Sequence, residues 1–172
     1  MISGPSKRAV TTFVLHACLT GSVAASAAGQ ALQDPSRLAG LRQVQVRADA
    51  VWDEAITMSA GGATPEQFRE AIQQTFQESI ATADAGPAVA PDAPTTVACH
   101  VDTFYDSGLI VYALRTQVEA AGTDGLPVIV WLESSVGSYT VQQLHLMFGL
   151  GEQCAESFLA AWRSVNAPGI MR

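Results

Sequence analysis

A chain of 172 residues, 48% of them hydrophobic, carries enough apolar material for one ordinary domain and too little length for two full ones. Its 9 Lys+Arg against 16 Asp+Glu give a net charge of −7, which excludes a non-specific grip on nucleic acid or an anionic membrane, since both need a surplus of cations. Charged residues make up only 15%, below the roughly 25% usual in soluble domains, which points to a membrane span, a targeting segment or a lightly charged surface.

Lys7 and Arg8 precede an apolar run over 9–19 and a run of small residues over 21–29, the three regions of a secretory leader. Ala25-Ser26-Ala27 fits the A-x-A cleavage rule and Gly29-Gln30-Ala31 is a second acceptable site. The sequence therefore predicts a signal peptide over 1–27, a flexible segment over 28–40 and a periplasmic or secreted mature chain. A transmembrane anchor would need about 20 apolar residues, and Thr11, Thr12, His16 and Thr20 interrupt this run. Cys18 behind Leu15-His16-Ala17 offers a second reading, an envelope component lipidated at that cysteine. The short apolar run before Cys18 ranks it below simple cleavage. Cleavage removes two cations, Arg8 and the only lysine, Lys7, taking the charge from −7 to −9. A lysine-free chain has no Schiff-base chemistry, lysine general base or P-loop lysine.

Cys18 leaves with the leader, and Cys99 and Cys154 remain. In an oxidising compartment an even pair reads as one disulfide, ahead of two buried thiols, a catalytic thiol or metal ligands. There is no C-x-x-C, and two thiols fall short of a metal site.

Over 41–52, Val44, Val46, Ala48, Ala50 and Trp52 alternate with Gln43, Gln45, Arg47 and Asp49, a half-buried strand. Thr64-Pro65-Glu66-Gln67 then supplies an N-cap, a proline at the first helical position and a capping-box glutamine. The helix it opens is predicted over 65–83, with Phe68, Ile72, Phe76 (or Thr75) and Ile80 inward. Residues 85–95 are Pro/Ala-rich without a period and read as a mobile loop inside the domain.

Runs over 96–105 and 109–119 flank Asp106-Ser107-Gly108, a hairpin signal. With Ser107-Gly108 as a two-residue loop, Thr103 pairs Tyr112, Val101 pairs Leu114, Cys99 pairs Thr116 and Val97 pairs Val118, so one face is apolar or nearly so. A three-residue loop would set Cys99 against Arg115 on the buried side. A further strand over 126–133 is read with Val128, Val130 and Leu132 inward and Ile129, Trp131 and Glu133 outward. From Ser134 to Gly149 the period is unclear, and Tyr139 to Phe148 reads equally as edge strand or irregular loop. A last helix over 151–165 puts Cys154, Phe158, Ala161/Trp162 and Val165 on one stripe, with Asn166 as a stop and Pro168 beyond.

The order β-α-β-β-β-α predicts a two-layer α+β domain over 41–168, a mixed four-stranded sheet with two helices on one face. A Cys99–Cys154 bridge would staple the last helix to that sheet. The outline resembles a family of uncharacterised secreted bacterial proteins. Val44-Gln45-Val46, Tyr112-Ala113-Leu114, Val130-Trp131, Val136-Gly137 and Phe158-Leu159-Ala160-Ala161-Trp162 with Asn166 and Pro168 carry the resemblance. It implies this fold and assigns no activity or catalytic residue.

His100 and Asp102 lie at i, i+2 on one strand face, with Arg115 across from His100. A hydrolase-like reading makes His100 a general base oriented by Asp102, with Ser134 or Ser135 as nucleophile. No G-x-S-x-G or comparable elbow supports it, and a solvated polar cluster on an open sheet face is the simpler account. Metal binding by His100 and His145 would lack a third ligand unless Asp102 or Glu133 converged, and no cofactor is called for.

The sequence register leaves Phe104, Val111, Ile129 and Trp131 on the open face among Arg47, His100, Asp102, Arg115 and Glu133. An apolar stripe rimmed by arginine is the pattern of a protein-binding or self-associating patch. The competing expectation is that residues 134–149 fold over this face and bury it.

Overall fold

The computed structural model describes residues 32–60 and 63–167; the segment read from sequence as a leader, the cleavage sites expected in it, Cys18 and Pro168 lie outside that range. The sheet has five strands in the order β2-β1-β3-β4-β5: β1 (Gln43–Val51), β2 (Ala88–Val89), β3 (Thr95–Asp106), β4 (Leu109–Ala121) and β5 (Pro127–Thr140). Among the described residues four helices accompany it, α1 (Glu54–Ala60), α2 (Pro65–Ala81), α3 (Leu144–Met147) and α4 (Leu150–Asn166), with 3-10 turns at Pro35–Leu38 and Val141–Gln143. β1 runs parallel to β2 and β3, while β3, β4 and β5 form an antiparallel meander. This is the two-layer α+β arrangement with one more strand than the four expected.

The extra strand comes from the Pro/Ala-rich stretch. The Ala88 and Ala90 amides donate to the Arg42 and Val44 carbonyls at 2.9 Å each, so the segment read as a mobile loop docks on the edge of β1. Residues 28–40 need a similar correction from Pro35 onward. Leu38 is fully buried, and the far end of α4 holds its neighbourhood. Asn166 donates to the Leu38 carbonyl and accepts from the Gly40 amide, and the Trp162 indole donates to the Leu41 carbonyl at 2.7 Å. The Trp and Asn of the C-terminal motif thus clamp the approach to β1.

α1 fills a stretch for which the sequence offered no period. Asp53 accepts from the Ala55 and Tyr105 amides, and the Asp53 amide donates to the Thr103 hydroxyl, which donates to the Val51 carbonyl. These bonds end β1, start α1 and tie both to β3; the two amides hold the Asp53 carboxyl below the usual carboxylate range. α2 opens with the reciprocal Thr64–Gln67 capping box and buries Phe68, Ile72, Phe76 and Ile80. α4 lies across it so closely that a Cβ on Gly151 would strike the Ile72 carbonyl and the Thr75 hydroxyl.

The hairpin register is the two-residue one, with every named pair opposed as the sequence arithmetic places it. Ser107 and Gly108 both have positive φ, 49° and 89°, the requirement of a type I′ turn.

β5 departs from expectation in length and in facing. It continues to Thr140, and a bulge opposite Val118/Glu119 sets Val118 across from Trp131 and Thr116 across from Glu133. Trp131 is 1% exposed and packs edge-on to Phe158 in the core, while Leu132 shares the open face with Gln117. The run Val128 to Leu132 is apolar at every position, so alternation could not say which set faces the helices. The register against β4 decides it: beyond the bulge it reverses the sequence reading for Trp131, Leu132 and Glu133, while Val128 and Ile129 keep the faces expected of them.

Candidate functional site

Pairing across β1, β3, β4 and β5 sorts the open face into rows: Gln45–Thr96–Glu119–Ile129, Arg47–Ala98–Gln117–Leu132, Asp49–His100–Arg115–Ser134, Val51–Asp102–Ala113–Val136 and then Phe104–Val111–Ser138. The segment after β5 does not cover it. Val141–Gln143 and α3 turn to the helix side, where Met147 is buried and Leu144 and Phe148 pack against the core. Among the described residues the face is open.

Its two ends differ. At one end Arg47 reaches over β3 to Glu119 at 3.1 Å, and Gln117 donates to the same carboxylate. This polar lattice lies over Ala98, which is fully buried although it points away from the helices. At the hairpin end the face is largely apolar and unprotected: Val51 is 57%, Phe104 62% and Val136 75% exposed, with Val111 beside them and Asp102 the charge among them. A bare cluster of this kind on a sheet is uncommon unless it is used. Val51 was legible from the alternation of β1, whereas Val136 fell in the stretch without a period.

Of the residues singled out from sequence, Phe104, Val111, Ile129, Arg115 and Arg47 lie on this face. Trp131 does not belong to it, and Glu133 faces the helix side beside Cys154.

His100 sits in the middle row with its side chain 16% exposed. Its Nδ1 is 3.9 Å from the Asp49 carboxylate, and its buried Nε2 has no hydrogen-bond partner among the described residues. Asp102, two residues along, does not bond to it, and Ser134 lies two strands away, roughly 10 Å at ordinary strand spacing. Ser135 points to the other face. A general base needs its proton partner within about 3 Å, so the hydrolase grouping is not assembled. His145 and Glu133 are on the helix side of the sheet and cannot converge with His100; no cluster of three metal-ligating side chains occurs among the described residues.

Burial, and secondly the Arg115 guanidinium, lower the His100 pKa from 6.5, with Arg47 adding to them and Asp49 and Glu119 opposing. The unfolded chain therefore binds a proton that the folded chain refuses. The stability contribution is complete above the unfolded pKa and is lost as pH falls through the folded one. Urea unfolding between pH 7.5 and 5 is expected to show a falling midpoint that flattens in His100→Gln; equal slopes in the two proteins would contradict this.

Of the hollows beside the helices, two bear on the chemistry considered from sequence, and neither contains His100 or Asp102. One of about 480 Å3 lies between β1 and α2, lined by Ala48, Arg69, Gln73 and Gln77 among others. The other, about 150 Å3, lies between β4, β5 and α4 against Cys154, with Glu133, Ser135 and Ser157 on its walls.

Cys99 and Cys154 are bonded, joining β3 to α4. The disulfide fits an oxidising, extracytoplasmic compartment, and no helix among the described residues is long and apolar enough to cross a membrane.

Fold and face together define an α+β domain with one helix-covered and one bare sheet face. No protein-family model and no curated protein matches the chain. Among solved structures it is similar to a point variant of the PelC dodecamer from Paraburkholderia phytofirmans, at 13% identity and TM-score 0.39, over 70% of this chain and 87% of that one. It is also similar to a protein described only as uncharacterized, at 14% identity and TM-score 0.37, over 78% of this chain and 96% of that one. Likeness at this level transfers no role.

Proposed function

We propose that this protein is a non-catalytic, self-associating module of the periplasm or the extracellular space, and that two copies meet through their open sheet faces. The observation that carries the reading is the bare, largely apolar end of the face, Val51, Phe104, Val111 and Val136, on a sheet whose other face carries the helices and the core.

Charge favours a second copy as the occupant. The chain is strongly acidic, yet the face sets Arg47 and Arg115 against Asp49, Asp102 and Glu119, close to balance. Two such faces related by a two-fold axis can place Arg115 of one copy near Asp102 of the other, which an arbitrary acidic surface could not do. Size is adequate. Four strands about 4.8 Å apart and about ten residues long give roughly 600 Å2 in projection, of the order of the ~800 Å2 per partner in a standard interface.

Light scattering on the eluting protein tests this. The wild type is expected to associate, and Phe104→Asp, which buries a charge at the contact, to fall by one association step. Its dissociation constant for the face contact should rise roughly a hundredfold, about 2.7 kcal/mol. Phe104 is exposed, so the unfolding midpoint should not move at concentrations low enough that both proteins are monomeric. An unchanged mass would overturn the reading.

A further inference from the structure

The two edges of the sheet are treated differently. On the β1 side, β2 covers the strand as far as Val44, and beyond it the outward Ala48 amide donates to the Gln73 side chain at 2.6 Å. β2 and α2 thus blunt that edge, as soluble sheets generally require.

The β5 edge has no such cover among the described residues. Counting the antiparallel alternation from the type I′ turn, β4 bonds to β3 through its odd-numbered residues and to β5 through its even ones. Ile110, Tyr112, Leu114, Thr116 and Val118 are thereby matched to Tyr139, Gly137, Ser135, Glu133 and Trp131. The N–H and C=O groups of Leu132, Ser134, Val136 and Ser138 then point out of the sheet. The usual protections are missing. From Val128 to Thr140 the strand holds one charge, Glu133, no lysine and no proline. Its only irregularity, the bulge at Val130, ends before Trp131 and leaves the stretch beyond it regular.

We infer that a second copy pairs with this edge, β5 against β5 in antiparallel register about a two-fold axis at Ser134. The segment complements itself in that register. Leu132 falls opposite Val136 of the second copy, twice over by symmetry, and Ser134 opposite its own counterpart, so the apolar side chains meet on the open face. Glu133 falls opposite Ser135 of the second copy and Trp131 opposite Gly137, leaving no like charges directly opposed. The three pairs centred on Ser134 exchange six backbone hydrogen bonds by the antiparallel pattern. The result is one ten-stranded sheet whose two open faces are continuous.

This contact rests on β5 and does not depend on the face-to-face contact, although it deepens the self-association reading. Two isologous contacts with perpendicular axes close as a tetramer. Sedimentation velocity of the wild type, Phe104→Asp, Ser134→Pro and the double variant separates them. Proline at 134 removes only an outward N–H and leaves the β4 ladder intact. The inference predicts a wild-type tetramer, a dimer for each single variant and a monomer for the double. A dimer that survives Ser134→Pro and dissociates with Phe104→Asp overturns the edge contact and keeps the face. A dimer with the opposite response keeps the edge and overturns the face, and a wild-type monomer overturns both. Should Ser134→Pro lose its fold, amide exchange in the wild type decides: Ser134 and Val136 protected at least a hundredfold on association, or, against the inference, unprotected at every concentration.

Discussion

Replacing Cys99 and Cys154 together by alanine is expected to destabilise the protein by roughly 4 kcal/mol, because the bridge closes a loop of 55 residues that the unfolded chain would otherwise explore. Against a typical total of about 5–15 kcal/mol this is a large fraction. Alanine is the right replacement here. Both cysteines are essentially unexposed, and serine would bury two hydroxyls without certain partners. The bridge joins β3 to α4, the element whose far end holds Leu38 to Leu41 through Trp162 and Asn166, so the N-terminal turn should loosen with it. Urea unfolding of the double variant checks both points. A midpoint within a few tenths of a kcal/mol of the wild type would contradict the role given to the bridge.

Trp131→Ala is the second large effect, and it tests the corrected facing of β5. An exposed tryptophan on a contact surface would, when truncated, weaken association and leave the fold alone. A tryptophan 1% exposed against Phe158 should instead cost about 3–5 kcal/mol, the transfer term plus the cavity it leaves. The expected result is a lowered unfolding midpoint in the monomeric Phe104→Asp/Ser134→Pro background, where association cannot contribute. Unchanged stability in that background would mean that the strand faces the other way.

Most of the fold was legible because its signals were local. Thr64-Pro65 and Gln67 state a helix start, Phe68 to Ile80 state its face, and Ser107-Gly108 fix a hairpin whose register then follows by counting. What failed did so where the local signal was degenerate. Val128 to Leu132 has no polar residue to mark a face, and the bulge that sets Trp131 inward depends on pairing with Val118 across the sheet. β2 has two residues and exists only because Arg42 and Val44 present carbonyls to it, a tertiary circumstance with no pattern of its own.

The site divides the same way. Phe104, Val111, Arg47 and Arg115 came from register arithmetic and lie on the open face. Val136 was hidden because strand β5 continues through Glu133-Ser134-Ser135 without apolar alternation. The His100 and Asp102 pairing shows the limit of spacing as a guide. The i, i+2 relation put both on one face, but cross-strand Asp49 is the carboxylate near the imidazole.

The most direct measurement of the face contact is the maleimide labelling rate of Val51→Cys at 1 µM and at 200 µM protein. Val51 lies on the face but on β1, with β3 and β4 between it and β5, so pairing of the β5 edges leaves it open. Face-to-face association predicts at least a tenfold slower rate at the higher concentration, restored by adding Phe104→Asp. A rate independent of concentration, in a protein that associates, would contradict the claim that the open face is where copies meet.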